Sequence, residues 1–173
     1  MHLVLVGLMA SGKTTVGHLL ATSLDRRFVD NDDMLFRRTG HTARDIADDA
    51  GSTALHDAEA DILVAALSEP DPAVIGAAAG AVLEPDARRA LEGHFIVYLR
   101  ATPEVLADRI EANIAGQLDD GHRPFVTENA LEVLREQAAE RDGPSRPLAT
   151  LIVDAARDPA VTAREISTAF ARA

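Results

Sequence analysis

Read in order, the chain predicts an α/β domain built on a parallel sheet with helices on both faces. Three features support this. The apolar run Leu3-Val4-Leu5-Val6 leads directly into Gly7-Leu8-Met9-Ala10-Ser11-Gly12-Lys13-Thr14, and a helical pattern follows over 13–24. That octet fits G-x-x-x-x-G-K-[ST], and strand, glycine loop, helix is the context in which the spacing cradles phosphate. Short apolar runs then alternate with helical segments to the end of the chain, as a sheet covered on both sides requires. Helix starts also carry caps: Thr42 stands three residues before Asp45, Thr102 precedes Pro103, and Thr127 precedes Glu128.

In order, strands are expected at 2–6, 28–30, 73–77, 95–99 and 150–153, each on an apolar run such as Phe28-Val29 or Leu151-Ile152-Val153. Helices are expected at 13–24, 32–39, 43–67 (broken near Gly51), 85–91, 103–114, 127–141 and 159–171. Neither period fits Ala115 to Val126, which holds Gly116, Asp119, Asp120, Gly121 and Pro124. A polar loop bounded by glycines beside a strand–helix unit is a candidate mobile lid. A length of 173 residues suits one domain over 1–173, with a core of its own.

Composition excludes several functions. There is no cysteine, so disulfides, thiol catalysis and cysteine-bound metals are out. A formal charge of −11 should repel nucleic acid, whose phosphates need a basic patch. No apolar run approaches a membrane span. A core strand starts almost at the first residue, which leaves no room for a cleavable signal, and a cytosolic setting with ATP at hand is expected. Of the 17 lysines and arginines only Lys13 is a lysine, so the Asn-Lys-x-Asp element that reads guanine in switch GTPases is absent.

The loop's chemistry explains its residues. Gly7 lets the chain leave the strand where a Cβ would obstruct, and Gly12 lets the main chain approach phosphate oxygens. Successive N–H groups converge on the anion, aided by the positive end of the next helix. Lys13 can bridge the β- and γ-phosphates, and the Thr14 hydroxyl can ligate Mg²⁺. The expected ATP-binding set here is Gly7, Ala10, Ser11, Gly12, Lys13, Thr14 and Thr15.

Phe28-Val29-Asp30-Asn31-Asp32-Asp33 places carboxylates at the carboxyl end of a strand, where ligands bind in open α/β sheets. One could hold Mg²⁺ through water and another could orient an acceptor hydroxyl; the same residues would also serve as helix N-caps. Asp154, ending Thr150-Leu151-Ile152-Val153-Asp154, is a rival for the metal aspartate. Arg109, Arg123, Arg141, Arg146 and Arg157 surround the loop in sequence, and Arg123, inside the loop beside Pro124, is best placed to stabilise transferring charge. His56 and Glu59 share a helix face with Leu55, Ile62 and Leu63, where a lone histidine also reads as structural.

With the phosphate loop, Phe28 to Asp32, Arg38-Thr39-Gly40, the Asp45-Ile46 and Gly51 spacing, and Arg123-Pro124 in hand, the chain resembles the shikimate kinases along nearly its whole length. The resemblance implies a monomeric, ATP- and Mg²⁺-dependent enzyme. Its five-stranded parallel sheet would have the order 2-3-1-4-5, with acceptor-binding helices over about 32–67 and a lid over about 115–126. It implies that Lys13 and Thr14 hold phosphate and Mg²⁺, that Asp30 touches the metal shell, and that Asp32 binds and orients the acceptor hydroxyl. Arg123 would be the lid arginine, Arg109 and Arg157 would flank adenine, and Arg141 would grip the acceptor's carboxylate.

Three departures lie on the acceptor side. His56 stands where the family has a substrate arginine, Ala78-Ala79-Gly80 where it has three glycines, and Arg141-Asp142-Gly143-Pro144-Ser145 where it has Arg-x-Pro-x-Tyr. His56 and Gly80 are thus expected at the acceptor with Asp32 and Arg141. Shikimate is the expected acceptor; the alternatives are a kinase for another polyol, a gluconate-like sugar acid or a cyclitol, and a nucleotide-binding protein without efficient catalysis.

Overall fold

A computed structural model of the protein describes residues 1–115 and 129–173, the last three of the first stretch as backbone only. Five parallel strands, β1 (Leu3–Val6), β2 (Arg27–Asp30), β3 (Ala73–Gly76), β4 (Phe95–Arg100) and β5 (Leu151–Asp154), form one sheet in the order β2-β3-β1-β4-β5. β1 pairs with β3 on one side (Leu3 opposite Val74) and with β4 on the other (Leu3 opposite Phe95). All four of its residues are buried, which is why this strand reads as an unbroken apolar run.

The helices are α1 (Lys13–Ser23), α2 (Asn31–Thr39), α3 (Ala43–Leu67), α4 (Pro85–Ala90), α5 (Pro103–Ala115), α6 (Ala130–Leu148) and α7 (Pro159–Phe170). One core layer, with Val4, Leu63, Ile75, Leu91, Ile96 and Tyr98, lies on the α3 and α4 side of the sheet. The other, with Leu3, Leu5, Leu20, Val97 and Ile166, lies under α1 and α7. Thr42 caps α3 in a full capping box with Asp45, and Gly51 (φ 86°) breaks that helix where the sequence suggested. No helix among the described residues is long and apolar enough to cross a membrane.

Beyond one-residue shifts at several ends, two differences from expectation stand out. A 3-10 turn, Ala81–Leu83, follows β3. The last helix before β5 was expected to stop at 141, yet α6 continues through Pro144 and Pro147 to Leu148. Each proline removes a backbone donor and crowds the preceding turn. Tertiary anchors offset this: Ser145 is buried, Leu148 and Ala149 pack on the core, and Asp142 accepts from the Tyr98 hydroxyl of β4 at 2.9 Å. α6 starts at Ala130, after Asn129 in the left-handed region (φ 82°); Thr127 and Glu128 lie outside the described residues.

Candidate active site

The carboxyl end of the sheet opens into a cleft of about 700 Å³, lined at one end by Gly12, Lys13, Thr14 and Thr15 and at the other by His56, Glu59, Gly80 and Arg141. The phosphate loop is fixed by backbone geometry. A Cβ on Gly7 (φ 154°) would sit 2.7 Å from the Leu99 carbonyl oxygen and 2.8 Å from Ser11 Oγ, so only glycine lets the loop lie against β4. Ala10 (φ 61°) and Gly12 (φ 91°) also take left-handed conformations, curling the main chain before α1. α1 has no acidic residue in its first turn and no side-chain cap, which leaves its positive end free for an anion. Ser11 is buried, and its Oγ has no partner among the described residues.

Lys13 Nζ donates to the Gly7 and Leu8 carbonyls at 2.9 and 3.1 Å, which folds the ammonium over the loop. Desolvation lowers its pKa below the ordinary lysine value, against the opposing pull of Asp32, Asp30 and Glu59. A bound polyanion would favour its charged form against that desolvation.

Across the loop, the Thr14 hydroxyl donates to Asp30 Oδ2 at 3.0 Å, while Oδ1 of the same carboxylate accepts the Asp32 N–H at 3.0 Å. Asp30 therefore both caps α2 and faces the phosphate loop, so the capping and ligand roles are compatible in one residue. A hydroxyl and a carboxylate are the hard oxygen donors that suit Mg²⁺, which keeps water and phosphate for its other positions. Among the described residues no three histidine or acidic side chains converge as a metal cage. Asp32 lines the cleft beside this pair.

The opposite wall is built from side chains. His56 and Glu59 on α3, Gly80 after β3 and Arg141 on α6 meet there. A Cβ on Gly80 would lie 2.4 Å from His56 Cδ2 and 2.5 Å from Glu59 Oε2, so this one retained glycine is what lets both side chains in. Burial, with Asp32 adding repulsion, pushes the Glu59 carboxyl up to about 8, and Oε2 has no partner among the described residues. Arg141 is buried, with Nε donating to Glu140 at 3.3 Å and Nη2 lying 3.5 Å from His56 Nε2. Burial and the adjacent guanidinium lower the His56 pKa.

The remaining expected residues are divided. Arg109 lines the cleft and donates to the carbonyls of Ala10 (3.3 Å) and Ala155 (2.6 Å), tying the phosphate loop to the segment after β5. Arg157 does not line the cleft and pairs with Glu165 at 2.6 Å; Pro159, two residues on, does line it. Asp154 ends the edge strand β5, does not line the cleft, and caps the next turn by accepting from the Ala156 N–H at 2.9 Å. Arg123, Asp119, Asp120 and the lid expected near 115–126 lie, beyond Ala115, outside the described residues. Sequence reasoning left Glu59 and Gln137 out of the site. An acid on the apolar face of α3 was the available signal for Glu59; nothing in sequence marked Gln137, which lines the cleft one turn before Arg141 and leaves a buried Oε1 without a partner among the described residues.

Comparison with known proteins agrees with this geometry. Residues 9–171 match the shikimate kinase family. A shikimate kinase of Thiobacillus denitrificans is 37% identical over 158 residues, covering 90% of this chain and 82% of the relative. The structure of a shikimate kinase from Acinetobacter baumannii, in complex with shikimate, superposes with a TM-score of 0.86 at 28% identity, covering 99% of this chain and 93% of that one. A gluconokinase from Sinorhizobium meliloti aligns with a TM-score of 0.62 at 22% identity over 99% of this chain and 91% of its own, a likeness of fold alone.

Proposed function

This chain belongs to the shikimate kinase family, and on that footing we propose that it transfers the γ-phosphoryl group of MgATP to a hydroxyl of shikimate. The observation that carries the proposal is the convergence, in one cleft, of a phosphate loop with a buried guanidinium. A nucleotide and a small hydroxylated carboxylate are the two ligands such ends fit.

Phosphoryl transfer depends on positioning and charge stabilisation, so each residue has a defined task. Backbone N–H groups of the loop from Gly7 through Ser11 to Thr15, with Lys13, hold the β- and γ-phosphates. Thr14 and Asp30 would hold magnesium, which when bound supplies positive charge against the transferring phosphoryl group. Asp32 accepts a hydrogen bond from the acceptor hydroxyl and aims its oxygen at the phosphorus. Arg141 grips the acceptor's carboxylate, with His56 and Gly80 shaping that subsite, and Arg109 supports the nucleotide together with the segment holding Arg157. Arg123 is assigned the lid position over the phosphates. We take the enzyme to act as a monomer in the cytosol.

ADP release measured over a panel of shikimate, gluconate and cyclitols tests the reading. Shikimate is expected to give the highest kcat/KM. Turnover with gluconate or a cyclitol and none with shikimate would reject it. The gluconokinase likeness is one of fold only and does not favour gluconate.

A further inference from the structure

Arg141 is the buried permanent cation of the acceptor wall, and its neighbour there is a histidine rather than a second fixed charge. A guanidinium can only donate. The 3.5 Å approach of Arg141 Nη2 to His56 Nε2 suits the tautomer in which that ring nitrogen is unprotonated and the imidazole proton sits on Nδ1. Gly80 abuts the same edge of the ring, since even a methyl there would overlap His56 Cδ2 and come within 2.9 Å of Nε2. The Cδ2–Nε2 edge of the imidazole is thus held against both Gly80 and the guanidinium.

We propose that His56 and Arg141 form a proton-linked clamp for the acceptor's carboxylate: the neutral imidazole orients Arg141, and binding of the carboxylate draws a proton onto His56. The proposal rests on the reading of the acceptor given above and adds to it a specificity-determining partner for Arg141. Among the described residues, the charged groups that face the ring come from three elements. Asp57 and Glu59 stand on its own helix α3, Glu84 precedes α4, and Arg141 and Glu140 come from α6. Glu140, Glu84 and Asp57 favour the imidazolium, whereas burial and Arg141 oppose it and prevail. Glu59 stays protonated at neutral pH and adds no charge. A carboxylate placed between ring and guanidinium would offset the repulsion from Arg141 and supply an acceptor for Nε2–H, so proton uptake and acceptor binding favour each other. Acid then tightens the acceptor, and alkali leaves Arg141 as its one charged contact in this pair.

Two measurements test this. The His56 ring resonance, assigned by its loss in His56→Gln, is titrated by NMR in the wild type and in Arg141→Gln, with and without shikimate. The expected result is an upward shift on adding shikimate to the wild type, and an upward shift in unliganded Arg141→Gln. Equal titration in the wild type and Arg141→Gln would show that the two groups do not interact and would overturn the clamp. In parallel, the KM for shikimate is measured from pH 5.5 to 8. It is expected to fall about tenfold toward acid in the wild type, with kcat following a different profile, and to lose that fall in His56→Gln, whose side chain can accept from Arg141 but cannot take up a proton. The same acid fall in both proteins sinks the proposal. Absence of shikimate turnover at every pH, with the NMR shift from Arg141→Gln intact, sinks the functional reading instead and leaves the pairing standing.

Discussion

The two ends of the cleft are made by different means. The nucleotide end is backbone: eight consecutive residues leave a fully buried strand, curl through left-handed turns and open a helix, and a Cβ on the first glycine would collide with a carbonyl of the neighbouring strand. The acceptor end is side chains, brought together from α3, the turn after β3 and α6. A backbone site tolerates almost no change in place but is nearly indifferent to what surrounds it. A side-chain site depends on how three separated elements are anchored, and it leaves polar atoms of Glu59 and Gln137 buried without a partner among the described residues. Evolution can alter the second without disturbing the first, and the departures His56, Ala78 and Ala79 all fall there.

That contrast predicts unequal effects of mutation. Lys13→Ala removes the one mobile cation of the backbone end, and kcat should fall about a thousandfold or more, roughly 4 kcal/mol of transition-state stabilisation. Circular dichroism should be unchanged, because the ammonium bonds only to loop carbonyls. Activity within tenfold of wild type would contradict the assignment of the whole loop.

At the side-chain end Glu59 gives the next effect, read as stability against pH. Its folded pKa of about 8 lies above the unfolded value of 4.5, so between those limits the folded protein holds a proton that the unfolded chain releases. The contribution is complete below pH 4.5 and is lost as pH rises through 8, at up to about 1.4 kcal/mol per pH unit. Glu59→Gln cannot ionise. Its urea midpoint should match the wild type near pH 5 and exceed it above pH 8; parallel curves would mean that Glu59 is not a buried neutral acid.

The same contrast explains what could be read from sequence. The phosphate loop was legible because its residues are consecutive and each is demanded by a backbone conformation, as Gly7 shows. Asp30 was legible for a related reason, standing at the end of a strand next to β3 in an order the resemblance implied. Glu59 and Gln137 were not, since their meaning depends on contacts between α3, α6 and the turn at Gly80, which no local pattern encodes. The length of α6 was misjudged for the converse reason. Pro144 and Pro147 are strong local stop signals, and tertiary contacts of Asp142, Ser145 and Leu148 outweigh them.

Gly80→Ala probes the acceptor end where backbone and side chain meet. The added methyl would overlap His56 and Glu59, both ends of side chains that can shift, so the protein should fold. The displaced His56 no longer orients Arg141, and the KM for shikimate should rise about ten- to a hundredfold with the KM for MgATP little changed. An equal rise in both would erase the division between the two ends.

The mildest effect is expected from the anchor of α6. Asp142 accepts from the Tyr98 hydroxyl at 2.9 Å and Arg100 at 3.3 Å, which fixes the helix carrying Gln137 and Arg141 to β4, and from Arg146 on its own helix at 2.7 Å. Burial presses the Asp142 carboxyl upward, but the hydrogen bonds from Arg146 and Tyr98 outweigh it and hold it below the usual value. Tyr98→Phe removes one of three donors while the two arginines remain, so about 1 kcal/mol of stability should be lost, a fall in Tm of roughly 2–4 °C. Because burial and Asp142 push the Tyr98 phenol up to about 12, it remains a donor throughout the working range, and the loss should be the same at pH 6 and pH 9. A loss that varied over that interval would mean that this bond is coupled to the titrating groups of the acceptor wall, and the anchor would then belong to the clamp rather than merely support it.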